Sequence, residues 1–297
     1  MATEIWTGET DDNTATATNY RDDDAPDNGD DLIFPAGCDQ PVASTAARDL
    51  SGTTLVNLTF EDGYTGALGL DNGDTAPFYF KVDADYVYLN NRIRTFLEVT
   101  NSTAVYVTNT ANNPGYGLYG LSLKGASNAL LNIDIATRQS VGVAALAGET
   151  AGFTTINIKG TGGTVVIGEG TTVTTISVDG NVDVYIRAAC TALNILPTFT
   201  GNVYHEKGAA TAVKQYGGRY YPSLTQTVGT YYQYGGEVDF TTSDATRTFT
   251  NVKRYADTKF DDSKKKLSWG AGGFDNYATD ANLLLGYDYQ VTREAIA

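Results

Sequence analysis

Short runs of alternating apolar and polar residues, separated by turn residues, dominate the chain. No run holds a 3.6-residue period over three turns, so few helices are expected. An alternation of period two places successive side chains on opposite faces of a strand, and the pattern therefore predicts an all-β protein. In the first half of the chain the strand candidates are 55–60, 78–82, 86–89, 96–99 and 104–107.

A repeat of about 20 residues runs through the middle of the chain. The segments 154–158, 174–178 and 192–196 align at offsets of 20 and 18 residues, and Gly-rich turns separate them. Further on, Tyr216, Tyr234 and Tyr255 recur at intervals of 18 and 21 residues. A self-similar unit of this length, built of short strands and turns without helix, is typical of a β-solenoid.

The alternating strands need neighbours to bury their apolar faces. One turn of two or three short strands cannot close a core alone, whereas stacked turns line up their apolar positions as ladders. We therefore predict a parallel β-helix, right-handed by the general preference of crossover connections. An antiparallel β-sandwich is the alternative, and it predicts hairpins without a fixed repeat.

Composition divides the chain into three segments. Residues 1–50 form an acidic N-terminal cap or attachment segment, because ten acidic residues and one basic residue lie between positions 4 and 31. Residues 51–260 are the solenoid body. Residues 261–297 break the repeat and are expected to form a C-terminal cap or arm.

Overall composition limits the partners. The 297 residues carry a formal charge of −15, which disfavours nucleic acid and anionic membrane surfaces. Only 19% of the residues are charged, whereas 42 are threonine, a strand former. No apolar run approaches the roughly 18 to 20 residues of a membrane span. The N-terminus lacks the basic start and apolar core of a signal peptide, and two cysteines make no disulfide framework, so we expect synthesis in a reducing cytoplasm.

Two motifs carry a resemblance to a known family. The first is a Tyr-Gly-Gly unit followed by a short apolar strand, a polar turn and Thr-x-x-Asn, seen over 233–240 and 243–255. The second is the opening Trp6-Thr7-Gly8, followed by a Gly-Asp-Asp-Leu-Ile-Phe-Pro run at 29–35. In these motifs the chain resembles phage-encoded β-helical virion structural proteins of the capsid-decoration, or cement, type.

The resemblance implies a non-enzymatic structural protein of a bacteriophage particle that decorates and stabilises the capsid. It implies assembly in the host cytoplasm and a place in the virion. The expected partners are the major capsid protein or another virion protein, together with copies of the chain itself in a homotrimer. The alternatives are a tail spike or fibre that binds or degrades host polysaccharide, and a bacterial surface adhesin, which the N-terminus disfavours.

Partner contacts are predicted in two places. The attachment candidates are Trp6, Tyr20 and the cluster Asp22, Asp23 and Asp24. The lateral-contact candidates are Tyr231, Tyr232 and Tyr234, because tyrosine is enriched at interfaces. The tyrosines also allow two further interpretations: an aromatic ladder on the solenoid surface, or a face for sugar rings.

Candidate chemistry is sparse. A sugar-cleaving site needs paired carboxylates or a Ca²⁺ site beside a basic residue. Asp179 and Asp183 near Arg187, and Asp134 near Arg138, are interpreted as charges of turns and strand edges. The acidic residues 22–31 lack the EF-hand order. His205 is expected to be structural, and Cys38 and Cys190 small apolar fillers. The sequence thus predicts no catalytic, metal-binding or cofactor-binding residue and no cofactor.

Overall fold

The structure is a computed structural model that describes residues 2–42, 50–69, 77–112, 119–223, 227–286 and 292–293. The chain divides into two compact units, Met1–Thr154 and Thr155–Ala297. This division coincides with neither of the predicted boundaries at residues 50 and 260.

Unit 1 is built of short strands and one 3₁₀ turn, Ala17–Asn19. Its strands are β1 (Thr3–Ile5), β2 (Asp31–Phe34), β3 (Leu50–Phe60), β4 (Phe80–Asn90), β5 (Thr95–Thr100), β6 (Ala104–Asn109), β7 (Leu121–Ile135) and β8 (Ser140–Val143), and β9 (Ala151–Gly160) contains the division.

Parallel pairing stacks the strands of unit 1 in register. One stack runs β1, β2, β3, β4, β6 and β7, and a second runs β4, β5, β7 and β8. Equivalent inward positions therefore form apolar ladders, because strands about 4.8 Å apart bring equivalent side chains into contact. One such ladder is Leu32, Leu58, Val87, Val105 and Leu131.

Unit 2 continues the same construction with shorter strands. They are β10 (Thr164–Ile167), β11 (Thr171–Val178), β12 (Asp183–Ile186), β13 (Cys190–Ile195), β14 (Asn202–His205), β15 (Ala210–Gln215), β16 (Arg219–Pro222), β17 (Thr227–Gln233), β18 (Glu237–Asp239), β19 (Arg247–Arg254), β20 (Phe260–Asp262), β21 (Leu267–Asn276), β22 (Leu283–Leu285) and β23 (Thr292–Arg293).

The strands of unit 2 form two parallel stacks. The even-numbered strands β10 to β22 form one stack and the odd-numbered strands β11 to β23 the other. The predicted all-β, parallel β-solenoid is thus confirmed, and the sandwich alternative is wrong, because the ladders are parallel rather than built from hairpins. The described part of the chain contains no α-helix.

The predicted repeat is right in one place and off by one residue in another. A backbone bond from Asp179 N to Ile158 O (2.8 Å) fits the predicted offset of 20 between residues 158 and 178. The next offset is 17 rather than 18, because Ile176 pairs with Leu193 and Val178 with Ile195. A slip of one residue would turn every apolar side chain of the strand outward, so burial selects the observed register.

The residue that precedes each Tyr-Gly-Gly turn belongs to a column of buried polar side chains. Gln215, Gln233, Arg254 and Asn276 occupy one register position on successive strands, and all four are buried. Each of the first three donates to backbone carbonyls of the turns, or of the strand end, beside it. The acceptors are Gly217, Gly218 and Glu237 for Gln215; Gly236 and Lys259 for Gln233; and Thr258 and Thr279 for Arg254.

The second glycine of the motif is a steric requirement. Gly236 has φ +68°, and a Cβ there would lie 2.3 Å from the carbonyl oxygen of Gly217 on the preceding turn. Only glycine accepts both the left-handed conformation and this approach. The motif therefore lets the chain turn tightly over the buried side-chain amide of the preceding glutamine.

Replacing Gln233 by Met should destabilise the protein by about 1–3 kcal/mol, because the Gly236 carbonyl loses its buried donor and the Lys259 carbonyl keeps only Val238 N. Urea unfolding followed by circular dichroism measures the change. Lys214→Met, at an exposed position of β15, is the control and should stay within about 0.5 kcal/mol of the unmodified protein. Equal stabilities of the two variants would contradict the role of the column.

Candidate functional site

Two of the predicted attachment residues lie in the core of unit 1. Trp6 is fully buried and Tyr20 is 2% exposed. The indole packs against the Tyr20 ring at 5.4 Å and the Phe34 ring at 5.7 Å, and the Tyr20 hydroxyl donates to Thr14 O at 2.8 Å. Burial raises the pKa of the Tyr20 phenol. The prediction that Trp6 and Tyr20 contact a partner is therefore wrong, since both are core residues.

The acidic cluster that follows them is at the surface. Asp22, Asp23 and Asp24 are all exposed, and Asp23 has a left-handed backbone with φ 57°. Nearby Glu4 is buried, and desolvation together with the surrounding aspartates raises the pKa of its carboxyl group. The exposed turn 22–24 therefore keeps its predicted place as an attachment candidate.

The three predicted lateral-contact tyrosines have different surroundings. Tyr231 is fully buried, and its hydroxyl donates to the Gln215 side-chain oxygen. Its prediction as a contact residue is wrong, because in-register pairing of β15 with β17 puts it beside buried Val213. Tyr232 is half-buried and Tyr234 is 40% exposed, so these two reach the surface.

Tyr234 belongs to a stacked aromatic ladder. The ladder consists of Tyr216, Tyr234, Tyr255 and Tyr277, with centroid separations of 4.8, 5.0 and 4.7 Å. Neighbouring rings are within 13° of parallel. We call these four residues the tyrosine ladder. It confirms the interpretation of the repeated tyrosines as rings stacked along the solenoid surface.

The sequence analysis missed Tyr277. It follows buried Asn276 just as Tyr234 follows buried Gln233, so a polar residue before Tyr was the available signal. A second stack was also missed: Tyr185, Tyr204 and Tyr221 stack at 4.7 and 5.0 Å on the outward positions of β12, β14 and β16.

Stacking determines which part of each ring meets solvent. Inner rings of the tyrosine ladder have both faces covered by neighbours, which leaves the ring edges and phenol groups at the surface. Burial and the adjacent tyrosines raise the pKa of Tyr234 above its ordinary value. A phenol hydroxyl both donates and accepts hydrogen bonds, so the ladder presents a row of hydrogen-bonding groups along the surface.

The carboxylates considered for sugar chemistry bond between adjacent turns of unit 2. Asp179 accepts from the Thr198 hydroxyl, and Asp183 accepts from the Asn202 amide at 2.8 Å. Arg187 forms an ion pair with Glu206 at 2.6 Å. These groups link one turn to the next. This agrees with the interpretation of Asp179, Asp183 and Arg187 as charges of turns and strand edges. Asp134 and Arg138 in unit 1 are exposed.

His205 is a neutral core residue. Its ring is fully buried; Nε2 donates to Gly208 O at 3.1 Å, so Nδ1 accepts from the Tyr220 hydroxyl at 2.8 Å. A carbonyl oxygen only accepts hydrogen bonds, which fixes this tautomer. Burial lowers the pKa of His205 to about 4.

The two cysteines are free. Burial raises the pKa of the Cys190 thiol to about 11 and also raises that of the half-buried Cys38. Neither thiol is set up as a nucleophile at neutral pH, because the thiolate is the reactive form.

Across the described residues, no three His, Cys, Asp or Glu side chains are grouped to hold a metal ion. The same part of the chain has no helix of the length and apolarity that a membrane crossing demands. Comparisons with protein-family models, curated proteins and solved structures found no match.

The His205 environment predicts a pH dependence of stability. Between pH 6.5 and 4 the unfolded chain binds a proton that the folded imidazole does not bind, so stability falls as the pH drops through this window. The loss reaches up to about 3 kcal/mol. Urea unfolding at pH 7 and pH 4 measures it.

The matched variant is His205→Gln, whose amide offers one donor and one acceptor but does not titrate. Its unfolding free energy should fall less between pH 7 and pH 4 than that of the unmodified protein. Identical pH slopes for the two proteins would show that His205 does not contribute.

Proposed function

We propose that the chain is a non-enzymatic structural protein of a bacteriophage particle, assembled in the host cytoplasm, which decorates and stabilises the capsid through protein–protein contacts. The observation that carries the proposal is the tyrosine ladder, a regular row of hydroxyl groups on a hydrogen-bonded parallel stack. The resemblance of the Tyr-Gly-Gly units to phage β-helical proteins supplies the context.

The geometry of the ladder favours a protein partner over a glycan. Sugar rings stack on open aromatic faces, but the faces of Tyr234 and Tyr255 are covered by neighbouring rings on both sides. What remains is a rim of ring edges and hydroxyl groups, which suits the mixed apolar and hydrogen-bonding contacts of a protein interface. The ladder is the surface by which copies of the chain meet, as a homotrimer.

Attachment to the capsid is assigned to the exposed turn Asp22 to Asp24. Three adjacent carboxylates in a chain of charge −15 suit a basic patch on the major capsid protein or another virion protein. Salt screens such exposed charges, so attachment weakens as ionic strength rises.

A structural rather than catalytic role is supported by how the acidic groups of unit 2 are used. Asp179 and Asp183 each bond to a side chain of the next turn, and Arg187 pairs with Glu206 in the same way. Groups committed to holding turns together contribute rigidity, which a capsid-stabilising protein needs.

The homotrimer predicts a molar mass near three times 31.7 kDa in light scattering of the purified protein. The double variant Tyr234→Ser and Tyr255→Ser should be monomeric, because it removes two central rungs of the contact row. It should remain folded, at a loss of about 0.5–1.5 kcal/mol for each stacked pair removed.

Tyr88→Ser with Tyr106→Ser is the matched control. These rings also stack, at 5.2 Å, and Tyr88 is 38% exposed, but they lie in unit 1 outside the tyrosine ladder. The control should stay trimeric. An unmodified protein that is monomeric at all concentrations, or a ladder variant that remains trimeric, would overturn the role of the ladder.

The place in the virion is tested on particles from the source culture. Density-purified particles should contain the chain by mass spectrometry, and a high-salt wash should release part of it. Particles that lack the chain would overturn the virion assignment.

A further inference from the structure

A groove of about 640 Å³ lies in unit 1, separate from the tyrosine ladder. Its floor is formed where β5 and β7 run side by side, with Glu98 paired in register to Lys124. One side is the turn 146–150 and the other is 77–79. The volume falls within the roughly 300–1,000 Å³ of small-molecule sites.

Two carboxylates, one ammonium group and one phenol meet in this groove. Lys124 Nζ lies 3.1 Å from Glu98 Oε2 and 4.2 Å from the centre of the Tyr79 ring. The Tyr79 hydroxyl donates to one oxygen of Glu149, and the other oxygen of Glu149 accepts from Leu146 N at 3.0 Å. Four residues from separate parts of the chain therefore hold one another in place.

The polar groups of the groove are held rigidly. Tyr79 is 6% exposed and packs edge-on against Phe96 at 5.7 Å, and burial together with Glu149 raises the pKa of its phenol. Gly125 lines the floor, where a Cβ would lie 1.9 Å from Val99 O. Glycine thus allows β7 to approach β5 closely beneath the groove. Such preorganisation lowers the entropy that binding costs.

The net charge of the residues that line the groove limits the kinds of ligand that it can bind. Glu98, Glu149 and Lys124 are the charged groups among the lining residues and sum to one negative charge. An anionic ligand such as a uronate meets net repulsion, and a metal cation meets the Lys124 ammonium group between the carboxylates. An uncharged ligand with many hydroxyl groups can donate to the carboxylates and accept from the ammonium group. Pro77 and Leu146 at the edges offer apolar contact to carbon–hydrogen faces.

We propose that this groove binds a neutral oligosaccharide, with Glu98, Glu149 and Lys124 as the groups that bond its hydroxyls. The proposal stands apart from the structural role of the tyrosine ladder, because it rests on different residues in a different unit. It is a binding site, and it adds recognition of a glycan surface to a rigid scaffold.

Isothermal titration calorimetry on the full chain tests the proposal with four probes: maltohexaose, cellohexaose, N-acetylchitohexaose and, as the anionic comparison, hexagalacturonate. At least one neutral probe should bind saturably and hexagalacturonate should bind more weakly. No neutral probe binding, or hexagalacturonate binding as tightly as the best neutral probe, would overturn the proposal.

Two variants locate the binding in the groove. Glu149→Gln keeps the shape of the side chain and an oxygen for Leu146 N but removes the charge, so affinity should fall about tenfold, which is the loss of about one charged hydrogen bond. Glu206→Gln, which breaks an ion pair in unit 2, is the matched control and should leave the affinity unchanged. Thermal unfolding verifies that both variants are folded. A folded Glu149→Gln protein that binds as tightly as the unmodified protein would overturn the assignment to this groove.

Discussion

In-register parallel pairing is the constraint on which the rest of each unit depends. Backbone hydrogen bonds between successive turns hold the strands about 4.8 Å apart, so a residue at one position of a turn touches its equivalent above and below. Apolar positions then become ladders such as Leu32, Leu58 and Val87 without any requirement for large side chains. Stability comes from repetition of this contact, and the free Cys38 and Cys190 take no covalent part in it.

The same constraint makes a polar interior acceptable. Where the chain of unit 2 turns after Gln215, Gln233 and Arg254, backbone carbonyl oxygens point into the core, and some of them also accept from the next strand, as Lys259 O does from Val238 N. Gln215, Gln233 and Arg254 occupy that position in three successive turns and donate to those carbonyls. The polar column and the glycines of the turns act together. The glycines let the carbonyl groups approach closely, and the buried side chains donate hydrogen bonds to them.

Periodicity in the backbone also creates the two candidate surfaces. The residue that follows each buried polar residue of the column is a tyrosine. The register stacks these tyrosines into a row whose ring edges and hydroxyl groups face solvent. In unit 1 the register places Glu98 beside Lys124 at the floor of a groove whose sides come from irregular segments. The regular stack thus supplies fixed positions, and departures from it supply shape, so both candidate surfaces lie where turns leave the sheets.

The sequence by itself determined the kind of structure: period-two alternation and a spacing of about 20 residues are local properties, and they predicted parallel stacked strands and the repeated tyrosines. It could not determine which side of a strand faces inward where two aromatic residues are adjacent. Tyr231 is buried and Tyr232 is not, and only the pairing of β15 with β17 decides between them. Loop lengths vary from turn to turn, so the register of a strand is decided by the burial of all its apolar side chains together. The offset of 17 residues between Ile176 and its partner Leu193 could therefore not be predicted from the repeat. The groove was beyond any local pattern, because Tyr79, Lys124 and Glu149 are brought together only when the turns stack.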